Sequence, residues 1–481
     1  MKKSSLLLST AAALAVSIIV AGCGKTFYFA GRVLPPSGLV NRVLVAIQNP
    51  GSLARGGLEI MDAHYDTRFQ YNNPSKIFNI SGYSGALPIT IQSMPEEQIG
   101  AVYASGDGSF STVDYQKETA GGGQSGLPGA SSSIFVTRNQ AYVFAASQVN
   151  HVVTIVDRAA SVGASLSLPG VYRISVNPGG SVFLAFVQNS DYAYYGLKLN
   201  GTQTLAFSGG PTTWPKAAVD CEPLNAPKWC LFQVQSPDAT DQYGMYYGAP
   251  LAFDRPVKAL FSNDGSTAYV LNCGPECGGK ASSISLLPTG PMIFQVNQQS
   301  GKFPVTGTVQ NIPIPGGSSN ALIDSSTMYV VGQQLLADGL FTGNLTVVNL
   351  GNNTAGAPVS ISDGQPGTMS RIIEADDDTL WIGMQKCTNG ERFAKGQPYG
   401  CLTMYNTVKN TVTMIAPYLG DATGIADCTG LHKVYVAEGG QVYIYTTTDG
   451  TSLNNFYVTV NGTAYDVAYM DGLSDANNTV Y

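Results

Sequence analysis

Charge is scarce in this 481-residue chain: 12% of residues are Asp, Glu, Lys or Arg, and the 25 basic residues form no run or cluster. With a formal charge of −7, the sequence lacks the basic stripe that nucleic acid or an anionic lipid surface requires of a partner. Histidine is scarcer still. His64, His151 and His432 fall in different parts of the chain, so a histidine-ligated copper or haem centre, which needs several imidazoles together, is not supported. No Gly-x-x-x-x-Gly-Lys-Ser/Thr loop exists to cradle a nucleotide phosphate. Gly82-Tyr83-Ser84-Gly85-Ala86 stops one glycine short of a nucleophile elbow, and no His is tied to it by spacing. Beyond the first segment no hydrophobic run reaches the length of a membrane span. What the chain has instead is 55 Gly, 26 Tyr and abundant Ser, Thr and Asn, the composition of an extracytoplasmic, β-rich protein.

That first segment supplies an address. Lys2 and Lys3 precede an apolar run from Leu6 to Val20, which leads into Val20-Ala21-Gly22-Cys23. The run is too short to span a bilayer and stop, and small residues stand just before a cysteine. The pattern resembles a bacterial lipoprotein signal. The resemblance implies cleavage before Cys23, acylation of its thiol and its new N-terminus, and a firm anchor of several acyl chains. Gly24 instead of Asp after the cysteine resembles the outer-membrane sorting choice. The expectation is therefore a signal peptide over 1–22, lipidation at Cys23, and residence in the cell envelope with the membrane as a partner through the lipid. Loss of Lys2 and Lys3 with the leader takes the formal charge from −7 to −9.

In an oxidising compartment near-neighbour cysteines pair by default. Three such pairs are present: Cys221 with Cys230, Cys273 with Cys277, and Cys387 with Cys401; Cys428 is left over as a free thiol. A zinc site at Cys273-Gly274-Pro275-Glu276-Cys277 would need two further ligands and a reducing compartment. No Cys-x-x-Cys-His is present to attach haem.

One unit recurs along the chain: an apolar segment, a turn of Asp, Asn or Gly, an aromatic-Val strand, then a second apolar strand. Its clearest copy runs from Val257 through the turn Asn263-Asp264-Gly265-Ser266 to Ala268-Tyr269-Val270-Leu271-Asn272 and Ser283 to Leu287. Asp-Gly supplies the positive φ that a tight hairpin needs. Further copies centre on Val43, Val102, Tyr142, Phe183, Tyr329, Trp381 and Tyr435. The copies resemble the bacterial YVTN-type β-propeller repeat. The resemblance implies an all-β propeller of seven or eight four-stranded blades, with the eight copies favouring eight. A blade cannot bury its faces alone, so the ring must close. Ala464 to Tyr469 has no following partner and the Val43 unit lacks an inner strand, which predicts closure by a C-terminal strand. The expected organisation is a lead-in over 23–40, a propeller over 41–472 with an insertion at about 208–256, and a tail over 473–481.

Within that frame the sequence names no catalytic residue, metal ligand or cofactor. Asp376-Asp377-Asp378 occupies the turn position that Asn263-Asp264-Gly265 holds in its sister unit, and reads as a solvated turn. The cysteine-stapled loops between second and third strands fall on one face, where pre-ordering favours binding. The functional expectation is a non-catalytic, lipid-anchored propeller that binds a protein or glycan, with no nucleic acid. A propeller enzyme, such as a lactonase or a relative of quinoprotein dehydrogenases, is the alternative.

Overall fold

In each repeat the strand patterned as aromatic-Val is buried on both faces: Val102, Phe144, Phe183, Val270, Ile382 and Val436 are all inaccessible. A strand covered on both sides needs neighbours above and below as well as beside it, and stacked blades provide them. The computed structural model describes residues 32–49, 56–70, 73–121, 127, 131–159, 162–198, 218–221, 229–235, 250–289, 309–362, 367–385, 387, 400–414, 419–453 and 457–473. Within these, antiparallel sheets form an eight-bladed β-propeller. The expected signal peptide, Cys23, most of the 208–256 insertion and the last residues of the expected tail lie outside the described residues.

Numbered in chain order, the innermost strands are Thr463–Tyr469 for blade 1, Pro88–Met94, Ser133–Val136, Val171–Val176, Pro256–Phe261, Asn320–Asp324, Thr368–Ala375 and Ala422–Cys428. The second strands are Arg42–Gln48, Ile99–Ala104, Tyr142–Ser147, Val182–Val187, Thr267–Asn272, Thr327–Leu335, Thr379–Gln385 and Lys433–Glu438. Every one of the repeat copies read from the sequence is thus the second strand of a blade. The turn at Gly265 has φ +69°, as its Asp-Gly sequence requires.

Four strands per blade is the rule with four departures among the described residues. Blade 1 has three, Thr463–Tyr469, Arg42–Gln48 and Gly57–Asp62, extended by a single bridge of Glu59 with Asn79. Blade 4 has five, because Trp229–Gln233 and Ala218–Cys221, both from the predicted insertion, add to its outer edge. Trp229 is buried between blades 3 and 4 against Phe144 and Phe183, so this part of the insertion packs instead of presenting a surface. Blade 6 ends in two short strands that both pair with Phe341–Asn349. Blade 8 has three strands, extended by single bridges at Tyr445 with Ser452 and Val442 with Val458.

The ring closes through blade 1. Thr463–Tyr469 pairs antiparallel with Arg42–Gln48, so the C-terminus supplies the inner strand and the N-terminus the rest. Among the described residues the hydrophobic side chains form eight separate clusters, each a wedge between two adjacent blades and none central. Closure is clamped by buried Arg42, whose Nε and Nη2 donate to Asp471 at 3.0 and 2.6 Å while Nη1 donates to Glu118 at 3.1 Å. Cys428 is free, as expected, and it is buried at the end of the inner strand of blade 8. Its neighbours there, Tyr435 and Ala437, exclude water from the wedge between blades 8 and 1.

Candidate functional site

Inner strands in a propeller have one edge without a strand partner, and exposed edges are liabilities. In this protein polar side chains reach from blade to blade to serve those edges. Gln92 donates to the Val136 carbonyl at 2.7 Å and accepts from the Val136 amide at 2.8 Å. Ser175 accepts from the Ala259 amide at 3.0 Å, and Asp466 from the Ile91 amide at 2.7 Å. Gly424 lets blade 8 approach this close, since a Cβ there would meet Asp466 at 2.5 Å.

A second feature aims side chains into the channel. Register slips by one residue near the start of six inner strands, between Ala464 and Asp466, Pro88 and Thr90, Val171 and Arg173, Pro256 and Lys258, Met369 and Arg371, and Ala422 and Gly424. A bulge of this kind bends a strand and re-aims the next residue. Thr90, Arg173, Lys258 and Arg371 follow such bulges and line one cavity of about 260 Å³, to which Asn320 of blade 6, Ser133 of blade 3, Thr423 of blade 8 and Tyr465 of blade 1 also contribute. All eight blades therefore meet in it. Inner strands begin at this end, and the loops between second and third strands lie on the same face because the strands alternate in direction.

Among the described residues the lining carries three basic side chains and no carboxylate. Arg371 donates through Nε to the Thr423 carbonyl at 3.1 Å and pairs through Nη2 with buried Asp466 at 2.6 Å, just behind the wall. Arg173 is half-buried, its guanidinium 5.7 Å from the Tyr172 ring centre and 3.5 Å from the Val257 carbonyl. Lys258 is 7% exposed and donates to Asn320 Oδ1 at 2.8 Å. Burial first, and then the charges of Arg173 and Arg371, push the Lys258 ammonium down to about 7. For a divalent metal the described wall offers amide and hydroxyl oxygens, such as those of Asn320 and Gln385, amid positive charge and no carboxylate. Among the described residues no group of three or more His, Cys, Asp and Glu could share a metal ion.

The residues singled out in the sequence lie around this cavity, not in it. The Cys273–Cys277 and Cys387–Cys401 disulfides staple loops on the mouth face, while Cys221–Cys230 ties the two outermost strands of blade 4. Glu276 in the first staple accepts from the backbone and side-chain nitrogens of Gln333 at 2.9 and 3.0 Å, linking blades 5 and 6 at the rim. Gln385, two residues before Cys387, reaches the cavity. None of the three histidines lines it. His432 is not isolated: its ring contacts Asp377 at 3.0 Å, and its amide and that of Gly430 donate to Asp376 at 3.0 and 2.7 Å. The Asp376–Asp378 run is thus a turn, as expected, and one that docks blade 7 on blade 8. The three basic residues escaped the sequence reading because they stand on separate blades. Their shared signal is position: each stands near the start of an inner strand.

No protein-family model matches the sequence, and no curated protein matches it. Solved structures do resemble it. A dihydro-heme d1 dehydrogenase, NirN, superimposes with a TM-score of 0.50 at 12% identity, over 89% of this chain and 78% of that one. Hydrazine synthase of Kuenenia stuttgartiensis gives 0.47 at 13% identity over 75% and 96% of the two chains. A putative 6-phosphogluconolactonase from Bacteroides uniformis gives 0.45 at 12% over 89% and 99%. At such identities the likeness is one of fold: the chain is a β-propeller.

Proposed function

We propose that this protein is a lipid-anchored, non-catalytic binding propeller of the bacterial cell envelope, and that its central channel is the ligand site. The observation that carries the reading is the convergence of polar and cationic side chains from all eight blades on one cavity at the stapled-loop face. The stapled rim supports an extension of it, in which a protein or glycan partner rests around the mouth. The anchor fits this arrangement. Arg32 donates to the carbonyls of Pro95 and Gly472, just past the far ends of inner strands 2 and 1, so the tether leaves from the face opposite the mouth. Cys23 is nine residues earlier. At most about 30 Å of extended chain separates the lipid from that face, and the mouth points away from the membrane.

The solved relatives include enzymes, so the fold does not choose between binding and catalysis. The enzymatic alternative draws on Lys258, whose depressed pKa is of the kind found in lysine bases and nucleophiles. The test is native mass spectrometry of the protein extracted from its own envelope, with Thr423→Trp filling the cavity. A small molecule held by the wild type and lost from the variant supports the channel as the site. A molecule held equally by both, or none, removes it. Lactone hydrolysis by the wild type that Lys258→Met abolishes would favour the enzyme.

A further inference from the structure

Lys258 donates to one acceptor, Asn320, although an ammonium has three protons to give. It faces Arg173 and Arg371 across the channel; among the described residues the carboxylates that act on the lining are Asp466, engaged by Arg371, and Asp421, which acts on Tyr465, and neither acts on Lys258. The cavity therefore holds more positive charge than its walls neutralise. We propose that the channel floor is an anion site, in which a small ligand carrying a carboxylate or phosphoryl group bonds to Lys258 Nζ and the Arg173 guanidinium, with Asn320 and Thr423 alongside. This rests on the reading of the channel as the ligand site and names its chemistry.

The bland explanation is that Lys258 merely fastens blade 5 to blade 6. The neighbouring junctions argue against it. Blades 2 and 3 are joined by Gln92, blades 3 and 4 by Ser133, and blades 4 and 5 by Ser175, all neutral groups that hold an inner-strand edge without burying a charge, and the charged groups that serve other edges, Asp466 and Arg371, are paired with each other. A buried cation without a partner anion is costly, and a cluster of them is costlier. An anion of the right size relieves that cost. A cavity of about 260 Å³ admits a small molecule and no polymer strand. A neutral ligand would leave the charges uncompensated, and a divalent cation would be repelled.

Binding should take up a proton. The groups around Lys258 are Arg173, Arg371 with its partner Asp466, Asn320, and Tyr465 with Asp421 acting on it; burial first, and then those carboxylates, raise the Tyr465 hydroxyl, so it stays neutral. Lys258 is then the group that titrates near neutrality, at about 7 in the free protein. An anion favours the ammonium, so affinity is highest below that pH and falls up to about tenfold per unit above it.

The test is calorimetric titration of the detergent-extracted full chain with lactate, inorganic phosphate and glycerol. Lactate has no titration of its own between about pH 6 and 9, since simple carboxylates titrate near 4. Saturable binding of lactate or phosphate but not glycerol is expected, and whichever anion is preferred identifies the ligand's charged group. Lys258→Met should weaken that binding at least about tenfold, the usual effect of losing one charged hydrogen bond. Arg173→Gln, at a half-exposed position that should fold regardless, should weaken it similarly. Titrations near pH 8 in two buffers of different ionisation heat should show net proton uptake. The site is wrong if neither anion binds, if a variant with an unchanged melting curve binds as the wild type does, or if affinity is flat from about pH 6 to 9. Should Lys258→Met fail to fold, Arg173→Gln decides. A neutral molecule found in the channel by mass spectrometry would leave the binding reading standing and overturn the anion site alone.

Discussion

Ending the chain at Gly462 removes the strand on which ring closure depends. That strand and the turn after it bury Val467, Tyr469 and Met470 at 3%, 7% and 0% exposure, with Ala464 and Ala468 beside them. At about 1.5–3 kcal/mol for each of the three larger side chains, about 5–9 kcal/mol of burial is lost. The deletion also takes Asp471, leaving Arg42 buried without its bidentate partner, at about 3–5 kcal/mol more. Domains are stable by about 5–15 kcal/mol in all, so the truncated protein should not fold, and the exposed edge of Arg42–Gln48 should drive aggregation. The assay is soluble yield and thermal melting by circular dichroism, with a chain ending at Leu473 as the control that melts like the wild type. Asp471→Ala is the gentler version and should lower urea stability by about 3–5 kcal/mol with the slope unchanged. A chain ending at Gly462 that melts with the full-length protein would refute closure by the C-terminal strand.

Mass spectrometry of the mature protein should find acylated Cys23 as its first residue; an unmodified Cys23 or cleavage elsewhere ends the lipoprotein proposal. In liposomes, quenchers carried by the lipid should dim a fluorophore at residue 473 more than one at residue 340 on the mouth-face hairpin, and the reverse order would invert the orientation. Burial holds the Cys428 thiol well above its usual pKa, so native protein should react with a thiol reagent only at the rate it unfolds. Rapid labelling would place that cysteine at a surface. Glu438, buried with Tyr445 as its partner, has its carboxyl raised to about 8. The folded state therefore keeps a proton that the unfolded state releases near 4.5, and this group's contribution to stability falls as pH rises between those values. Glu438→Gln should flatten the fall in melting temperature between about pH 5 and 8; an unchanged profile would show that Glu438 is not its source.

What the sequence determined is what neighbouring residues decide among themselves. Alternating apolar residues around turns such as Asn263-Asp264-Gly265-Ser266 specify a hairpin within some thirty residues, and all eight second strands could be read that way. The three disulfides join cysteines 4 to 14 residues apart, close enough for the local chain to fix the pairing. Closure by Thr463–Tyr469 followed from counting, because one strand and one blade each lacked a partner. Other features required the ring. Trp229 and Cys221 entered blade 4 because an outer edge was open to receive them, a vacancy no local pattern records. His432 found Asp377 across a blade junction. Above all, Arg173, Lys258 and Arg371 are isolated basic residues in a charge-poor sequence. Only the bulges that turn them inward, and the ring that sets their blades around one axis, make them a single positive cavity; charge density belongs to the arrangement of side chains in space, which the order of residues leaves unstated.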